Sequence, residues 1–308
     1  MISVIHLGLL DYGTALKLQQ SLVDLRKQNR ISDVLLLLEH PPVITLGRNA
    51  SQKNLLASPE LLRKKGVELF ESNRGGDITF HGPGQLVGYP IFDLRGFSPR
   101  IGAVEFVRRM EEALIRTCGD LGIPCDRICG LTGVWTQEEN TRPRAAGSTS
   151  GSECKAGSKG SSREASNDQK KIAAIGVHIS RGVTSHGFAL NVTTDVDYFK
   201  LIVPCGIGDR PVTSISQELA GKQQPIPNME QIAHAVSLNF GRVFDRQMLW
   251  LESLDALMSS APLSGAESPD DHESNTIGVP LRVPKEIQEL RREQKAPRLG
   301  SEDEISLA

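Results

Sequence analysis

A chain of 308 residues with 39 % apolar side chains can bury a substantial core, as one large domain or two ordinary ones. Its 35 basic and 37 acidic residues leave a formal net charge of -2, which gives no general attraction to nucleic acid or an anionic membrane. Five cysteines at irregular spacing, in a chain that can fold without staples, point to thiols in a reducing compartment and away from a disulfide framework.

The opening stretch, MISVIHLGLLDYGTALKLQQ, has no basic n-region, its apolar run is broken by His6, and Asp11 precedes any Lys or Arg. That argues against a secretory signal or an Arg-rich transit peptide. No uninterrupted apolar run approaches the roughly 18 residues needed to cross a bilayer. The expected location is cytoplasmic.

Helical spacing appears first at Ala15, Leu18, Leu22 and Leu25, then at Ala103, Val107, Met110 and Leu114, and again at Met229, Ile232, Val236, Phe240 and Val243. The last of these begins at Asn228 with Gln231 three residues on, the pattern of a capping box. Between the helices lie β-type runs at 33–39 (DVLLLLE), 42–47 (PVITLG), 67–72 (VELFES), 85–94 (QLVGYPIFDL), 133–136 (GVWT), 172–179 (IAAIGVHI) and 183–192 (VTSHGFALNV). Strands clustered between helices without regular alternation predict an α+β fold with a mixed or antiparallel sheet flanked by helices.

Residues 137–169 are Gly, Ser and charge with almost nothing to bury, and residues 259–308 read similarly, with a weak helical pattern only at 286–292. Both are expected to be disordered, because their composition cannot offset the entropy of ordering. This leaves one domain at 1–258 carrying the insert, followed by a tail. GVWT and IAAIG, on either side of the insert, are expected to pair as a hairpin whose tip has been expanded.

Residues 74–90, RGGDITFHGPGQLVGYP, hold five glycines between strand-like runs. The stretch is neither a P-loop nor a dinucleotide fingerprint. Arg74, Gly75 and Gly76 would offer a cation and bare amides, while His81 rides on a rigid Gly-Pro-Gly turn, which suits a thin or polar ligand pressed against backbone; a bulged hairpin is the alternative. Cys205, in IVPCGIGDR, sits between Pro204 and Gly206 at a sharp turn after an apolar run. A thiol there needs a cation or base to become a nucleophile, and Lys171, immediately before IAAIG, is one candidate. Cys118 reads as a buried small residue, Cys125 and Cys129 as packing or surface, and Cys154 as accessible within the insert. A zinc site from His81, His178, His186 and Cys205 lacks any paired-ligand spacing.

Taken together, RGGDITFHGPGQLVGYPIFDL, KIAAIGVHISRGVTSHGFALNV and IVPCGIGDRPVTSISQEL resemble the three signature blocks of the lipoyl(octanoyl) transferases, and LLLLEHPPVITLGRNA resembles their N-terminal strand pair. The resemblance implies the cofactor-transferase fold shared with biotin and lipoate ligases. It also implies transfer of an octanoyl group from acyl carrier protein, bearing it on phosphopantetheine, to a lysine of lipoyl domains. Those acceptors would be the lipoyl domains of 2-oxoacid dehydrogenase E2 subunits and the H protein of glycine cleavage. On this resemblance Cys205 is the acyl-carrying nucleophile and Lys171 its partner. Substrate binding falls on Arg74, Gly75, Gly76, Asp77, Ile78, Thr79, Phe80 and His81, on Ala174, Ile175 and Gly176, and on Gly187, Phe188 and Ala189. No ATP and no metal would be needed. An ATP-dependent lipoate or biotin ligase on the same fold is the alternative. The long insert and the tail are departures from the family pattern, but they leave the signature blocks whole.

Overall fold

The computed structural model describes residues 1–137, 169–203, 210–220, 222 and 224–259. The expected disorder of the insert and tail concerns residues that lie almost wholly outside these, as do Cys154, Cys205 and the weak helical pattern at 286–292.

Eleven strands and six helices follow one another along the described chain. The order is β1 (Ile2–Leu9), α1 (Tyr12–Lys27), β2 (Asp33–Glu39), β3 (Val43–Leu46), α2 (Pro59–Lys64), β4 (Glu68–Glu71), β5 (Ile78–His81), β6 (Gln85–Ile91) and α3 (Ala103–Asp120). There follow β7 (Cys125–Ile128), β8 (Leu131–Thr136), β9 (Lys171–Ser180), β10 (Val183–Asn191), α4 (Ile215–Leu219), α5 (Met229–Phe244), β11 (Met248–Trp250) and α6 (Leu254–Ser259). Eight strands form one sheet in the order β11-β1-β2-β6-β10-β9-β8-β7, and β4-β3-β5 form a second, small one. The large sheet is mixed: β1 runs parallel to β2 and β11, and the other pairs are antiparallel. The fold is α+β, as the alternation of periods predicted.

The run of four leucines in β2 shows no polar alternation because both of its faces are covered. Leu35 and Leu37 face the core under α3 and α5, while Val34, Leu36 and Leu38 join the opposite cluster beneath α1 and α6. A third cluster, built from Ile44, Ile78, Phe80, Phe199 and their neighbours, supports the small sheet. Helix α5 starts with the expected reciprocal cap: Gln231 N–H donates to Asn228 Oδ1 at 2.8 Å, and Asn228 N–H donates to Gln231 Oε1 at 3.0 Å.

β8 and β9 pair antiparallel, so the two strands flanking the insert do form a hairpin. Strands β1, β5, β7 and β11 had no sequence expectation. β5 falls inside the glycine stretch, and β11 is three residues long with an exposed end at Trp250.

Candidate active site

The glycine stretch lies across the gap between the two sheets. Gly75 N–H donates to Val177 O at 2.9 Å, which ties the loop to β9, and a Cβ on Gly176 would come within 2.7 Å of Gly75 O. On its other side Gly47, Arg48 and Asn49 donate their amides to Asp77, Arg74 and Gly76 carbonyls at 3.0–3.1 Å. The loop is therefore clasped by backbone from both sheets, with Gly76 at φ +88, a conformation few other residues adopt. Asp77 is structural: its carboxylate accepts from Ser51 N–H at 3.1 Å, from Ile78 N–H at 2.8 Å and from the Asn54 amide.

Behind the loop is a cavity of about 410 Å³, a volume typical of a small-ligand site. Its walls come from the Arg74–His81 stretch, from β6, β9 and β10, from Tyr12 of α1 and from the turn before β8. Of the residues expected to bind substrate, Arg74, Gly76, Asp77, Thr79, His81, Ala174, Ile175, Gly176, Gly187, Phe188 and Ala189 line it, and so does Lys171. Gly75, Ile78 and Phe80 do not. Side chains alternate along β5, so Thr79 and His81 face the cavity while Ile78 and Phe80, 0 and 1 % exposed, fill the core of the small sheet. Cys205 lies outside the described residues.

Lys171 opens β9 and is 7 % exposed, with its Nζ 4.9 Å from the centre of the Trp135 ring. Room for it comes from Gly133, whose φ is +126 and whose missing Cβ would stand 3.0 Å from Lys171 Cε. The neighbouring segment is held by its backbone: Lys171 N–H donates to Pro211 O at 2.8 Å and Thr213 N–H donates to Lys171 O at 2.9 Å.

Arg74 is 8 % exposed, and its guanidinium donates to Thr45 Oγ1 and O and to Gly75 O at 2.6–3.1 Å. It braces the loop from inside and is not a surface cation. Arg181 sits in the β9–β10 turn, at the opposite end of β9 from Lys171, whereas Arg210 lies 5.6 Å from the Trp135 ring centre.

Sequence reasoning missed the polar network behind the cavity wall. His40, on no predicted wall, is fully buried, donates from Nδ1 to Leu10 O at 2.6 Å and accepts at Nε2 from the Tyr89 hydroxyl at 2.7 Å. His186, weighed from the sequence as a zinc ligand, stands at φ +56, lines the cavity and bonds Asn73 Oδ1 through Nε2 at 2.6 Å. Burial pushes the imidazole of His40 down to about 4. Burial, then the neighbouring His40, pushes His81 down to about 3, and burial, then the Arg74 charge, does the same to His186. All three are neutral near pH 7. Burial also raises Tyr12 and Tyr89 above the usual phenol range.

Among the described residues no group of three or more His, Cys, Asp or Glu side chains could hold a metal ion. No described helix is long and apolar enough to cross a membrane. Cys118 and Cys125 are free and buried, and a hydrogen bond from one to the other, together with burial, pushes the Cys125 thiol up. Cys129 departs from the expectation of free thiols, because it is disulfide-bonded.

Residues 11–241 match the family model for the lipoyl protein ligase A/B catalytic domain. The chain belongs to this family. An octanoyltransferase of Koribacter versatilis is 57 % identical over 88 % of the chain and 95 % of its own length, and one of Acidobacterium capsulatum is 54 % identical over 82 and 94 %. Among solved structures, a lipoate-protein ligase A bound with ATP superposes with a TM-score of 0.57 at 15 % identity, over 84 % of this chain and 93 % of that one. A structure described as a bi-partite lipoate protein ligase and its E2 lipoyl domain, from Thermoplasma acidophilum, gives 0.56 at 15 % identity, over 84 % of this chain and 91 % of that one. At such identities the likeness shows the fold of the lipoyl ligase A/B family. The cavity between the sheets is thus a feature of a member of that family.

Proposed function

We propose that the protein is an acyltransferase that moves an octanoyl group from acyl carrier protein to the ε-amine of a lysine on a lipoyl domain, through a thioester on Cys205. The observation that carries this reading is the 57 % identity, over 95 % of its length, to a protein named octanoyltransferase. Lys171 lining a cavity of small-ligand size is consistent with it.

In the first half-reaction the Cys205 thiolate attacks the thioester carbon, the bond to the pantetheine sulfur breaks, and the Lys171 ammonium protonates the departing thiolate. In the second, the acceptor amine attacks the acyl-cysteine and Lys171, now a free amine, takes its proton as the Cys205 thiolate leaves. The ion pair is restored. Exchange between thioesters is nearly level in energy and thioester to amide runs downhill, so the cycle needs neither ATP nor a metal. The acceptors are lipoyl domains of 2-oxoacid dehydrogenase E2 subunits and the H protein of glycine cleavage, and the site of action is the cytoplasm. The acyl chain lies between the Gly76–His81 wall and the Ala174–Gly176 and Gly187–Ala189 strands, where bare backbone keeps the channel narrow.

The test is intact mass spectrometry of the protein mixed with octanoyl-acyl carrier protein in the absence of ATP, alongside Cys205→Ala and Lys171→Ala. An octanoyl adduct on the wild type, lost in the cysteine variant and discharged by an apo lipoyl domain, is expected. Modification of the domain only when ATP and free octanoate are supplied would mean a ligase instead. Adduct loss without any acceptor amine would mean a hydrolase.

A further inference from the structure

A chain of buried amides connects the cavity wall to the strand that carries Lys171, and its directions are fixed at both ends by backbone carbonyls. At one end Asn191 Nδ2 donates to Thr213 O at 2.9 Å. Its Oδ1 is then the acceptor for Gln85 Nε2, 2.9 Å away, and the same Gln85 nitrogen also donates to Phe80 O at 3.2 Å. A carbonyl oxygen can only accept, so neither amide can be turned around without setting acceptor against acceptor or donor against donor. Gln85 Oε1 is left facing His81 Nδ1 at 2.8 Å, and only a proton on Nδ1 makes that contact a hydrogen bond. Gln85 and Asn191 are 1 and 3 % exposed, so bulk solvent does not reach them to satisfy a reversed arrangement.

His81 is thereby confined to one tautomer, with its lone pair on Nε2. That atom has no hydrogen-bond partner among the described residues and is not one of the buried polar atoms left unpartnered, while the ring lines the cavity. Nε2 therefore opens onto the cavity as an acceptor. The ring itself is held by stacking on Tyr12, centres 6.2 Å apart, and by the edge of His40 at 5.9 Å. Thr213, which receives the Asn191 bond, is the residue whose amide grips the Lys171 carbonyl.

We infer that His81 is a further catalytic residue, whose Nε2 lone pair accepts one N–H of the attacking lysine amine and orients it, and that Gln85 and Asn191 are positioning residues that hold it in the required tautomer. His81 takes no proton: the amine proton passes to Lys171 while the C–N bond forms and the C–S bond breaks. An imidazole kept neutral by burial suits an acceptor that must not become a donor. This inference rests on the acyl-transfer reading above. It adds a group that acts only in the second half-reaction.

The experiment has two arms on the full chain. Ring nitrogen NMR of ¹⁵N-histidine-labelled protein should find His81 protonated at Nδ1 and bare at Nε2 in the wild type, and a tautomer mixture in Gln85→Leu. In single-turnover kinetics Gln85→Leu should load octanoate at the wild-type rate yet discharge to an apo lipoyl domain roughly tenfold to a hundredfold more slowly, the size of effect that misplacing a reacting group produces. Discharge to hydroxylamine, a small nucleophile that needs no aiming, should be unchanged. A wild-type His81 protonated at Nε2 would overturn the inference even if no variant folds, and so would an unimpaired discharge by Gln85→Leu. If the wild type loads no octanoate, the acyl-transfer reading fails, and the tautomer measurement still decides the geometry.

Discussion

The Nζ of Lys171 lies 4.9 Å from the centre of the Trp135 ring, and the guanidinium of Arg210 approaches the same ring to 5.6 Å. A desolvated cation over tryptophan gains about 2 kcal/mol, so Trp135 fixes where the Lys171 ammonium sits. Trp135→Leu should slow acyl-enzyme formation by up to about thirtyfold, the rate equivalent of that energy. Trp135→Phe keeps a weaker π face and should fall between. Rapid-quench measurement of octanoyl loading, with thermal melting as a check on folding, decides this.

Gly176 allows β9 to pass under the glycine loop. An alanine there would place its Cβ 2.7 Å from Gly75 O, so either the loop lifts or the strand bends. Gly176→Ala should destabilise the protein by about 1–3 kcal/mol, as overpacking does, and should reduce transfer activity more steeply than stability. Denaturant melts and turnover on the same preparation test this.

Glu111 is fully buried on α3, where it accepts from Gly133 N–H at 3.0 Å, from Arg108 at 2.7 Å and from Arg127 at 3.1 Å. It anchors the backbone that leaves room for Lys171. Glu111→Ala removes the acceptor from two arginines and a buried amide and should lower stability by roughly 3 kcal/mol. Glu111→Gln, which can still accept from Gly133, should lose less. Urea unfolding of the two variants separates these outcomes.

Three buried histidines make stability depend on acid. Those of His40, His81 and His186 are depressed to about 4, 3 and 3, well under the unfolded value near 6.5. Between those limits the unfolded chain binds more protons than the folded one. The stability present above pH 6.5 is therefore lost progressively as pH falls toward 4, at up to about 1.4 kcal/mol per pH unit for each histidine. Unfolding free energies at pH 7, 6 and 5 should show this slope, and His186→Asn should make it shallower. A stability that is flat from pH 7 to 5 would contradict the buried, neutral assignment.

Arg210 stands over the Trp135 ring that also carries Lys171, placed to steer an acidic carrier protein toward the site. Reversing its charge should lower the rate of loading from octanoyl-acyl carrier protein at low salt and flatten its salt dependence, whereas reversing Arg181, at the far end of β9, should do little. Loading rates across a salt series test both.

Local patterning in the sequence determined the three long helices, the α+β class and seven of the strands, because periods of 3.6 and 2 follow from which face of an element must be buried. The blocks around 74–94, 171–192 and 202–219 marked where chemistry would fall, since glycines, a lysine and a turn cysteine are costly choices in plain strands and turns. The sequence by itself did not say which of Ile78, Thr79, Phe80 and His81 face the cavity, because β5 was unseen inside the glycine stretch and a strand's facing is set by its partner, β3. Nor did it reveal the polar contacts behind the cavity wall: His81 bonds Gln85 four residues on, but Gln85 bonds Asn191 across 106 residues and His40 bonds Tyr89 across 49. Only the tertiary structure decided those contacts, because a buried hydrogen bond needs two groups brought within 3 Å from distant strands, and no local periodicity encodes that distance.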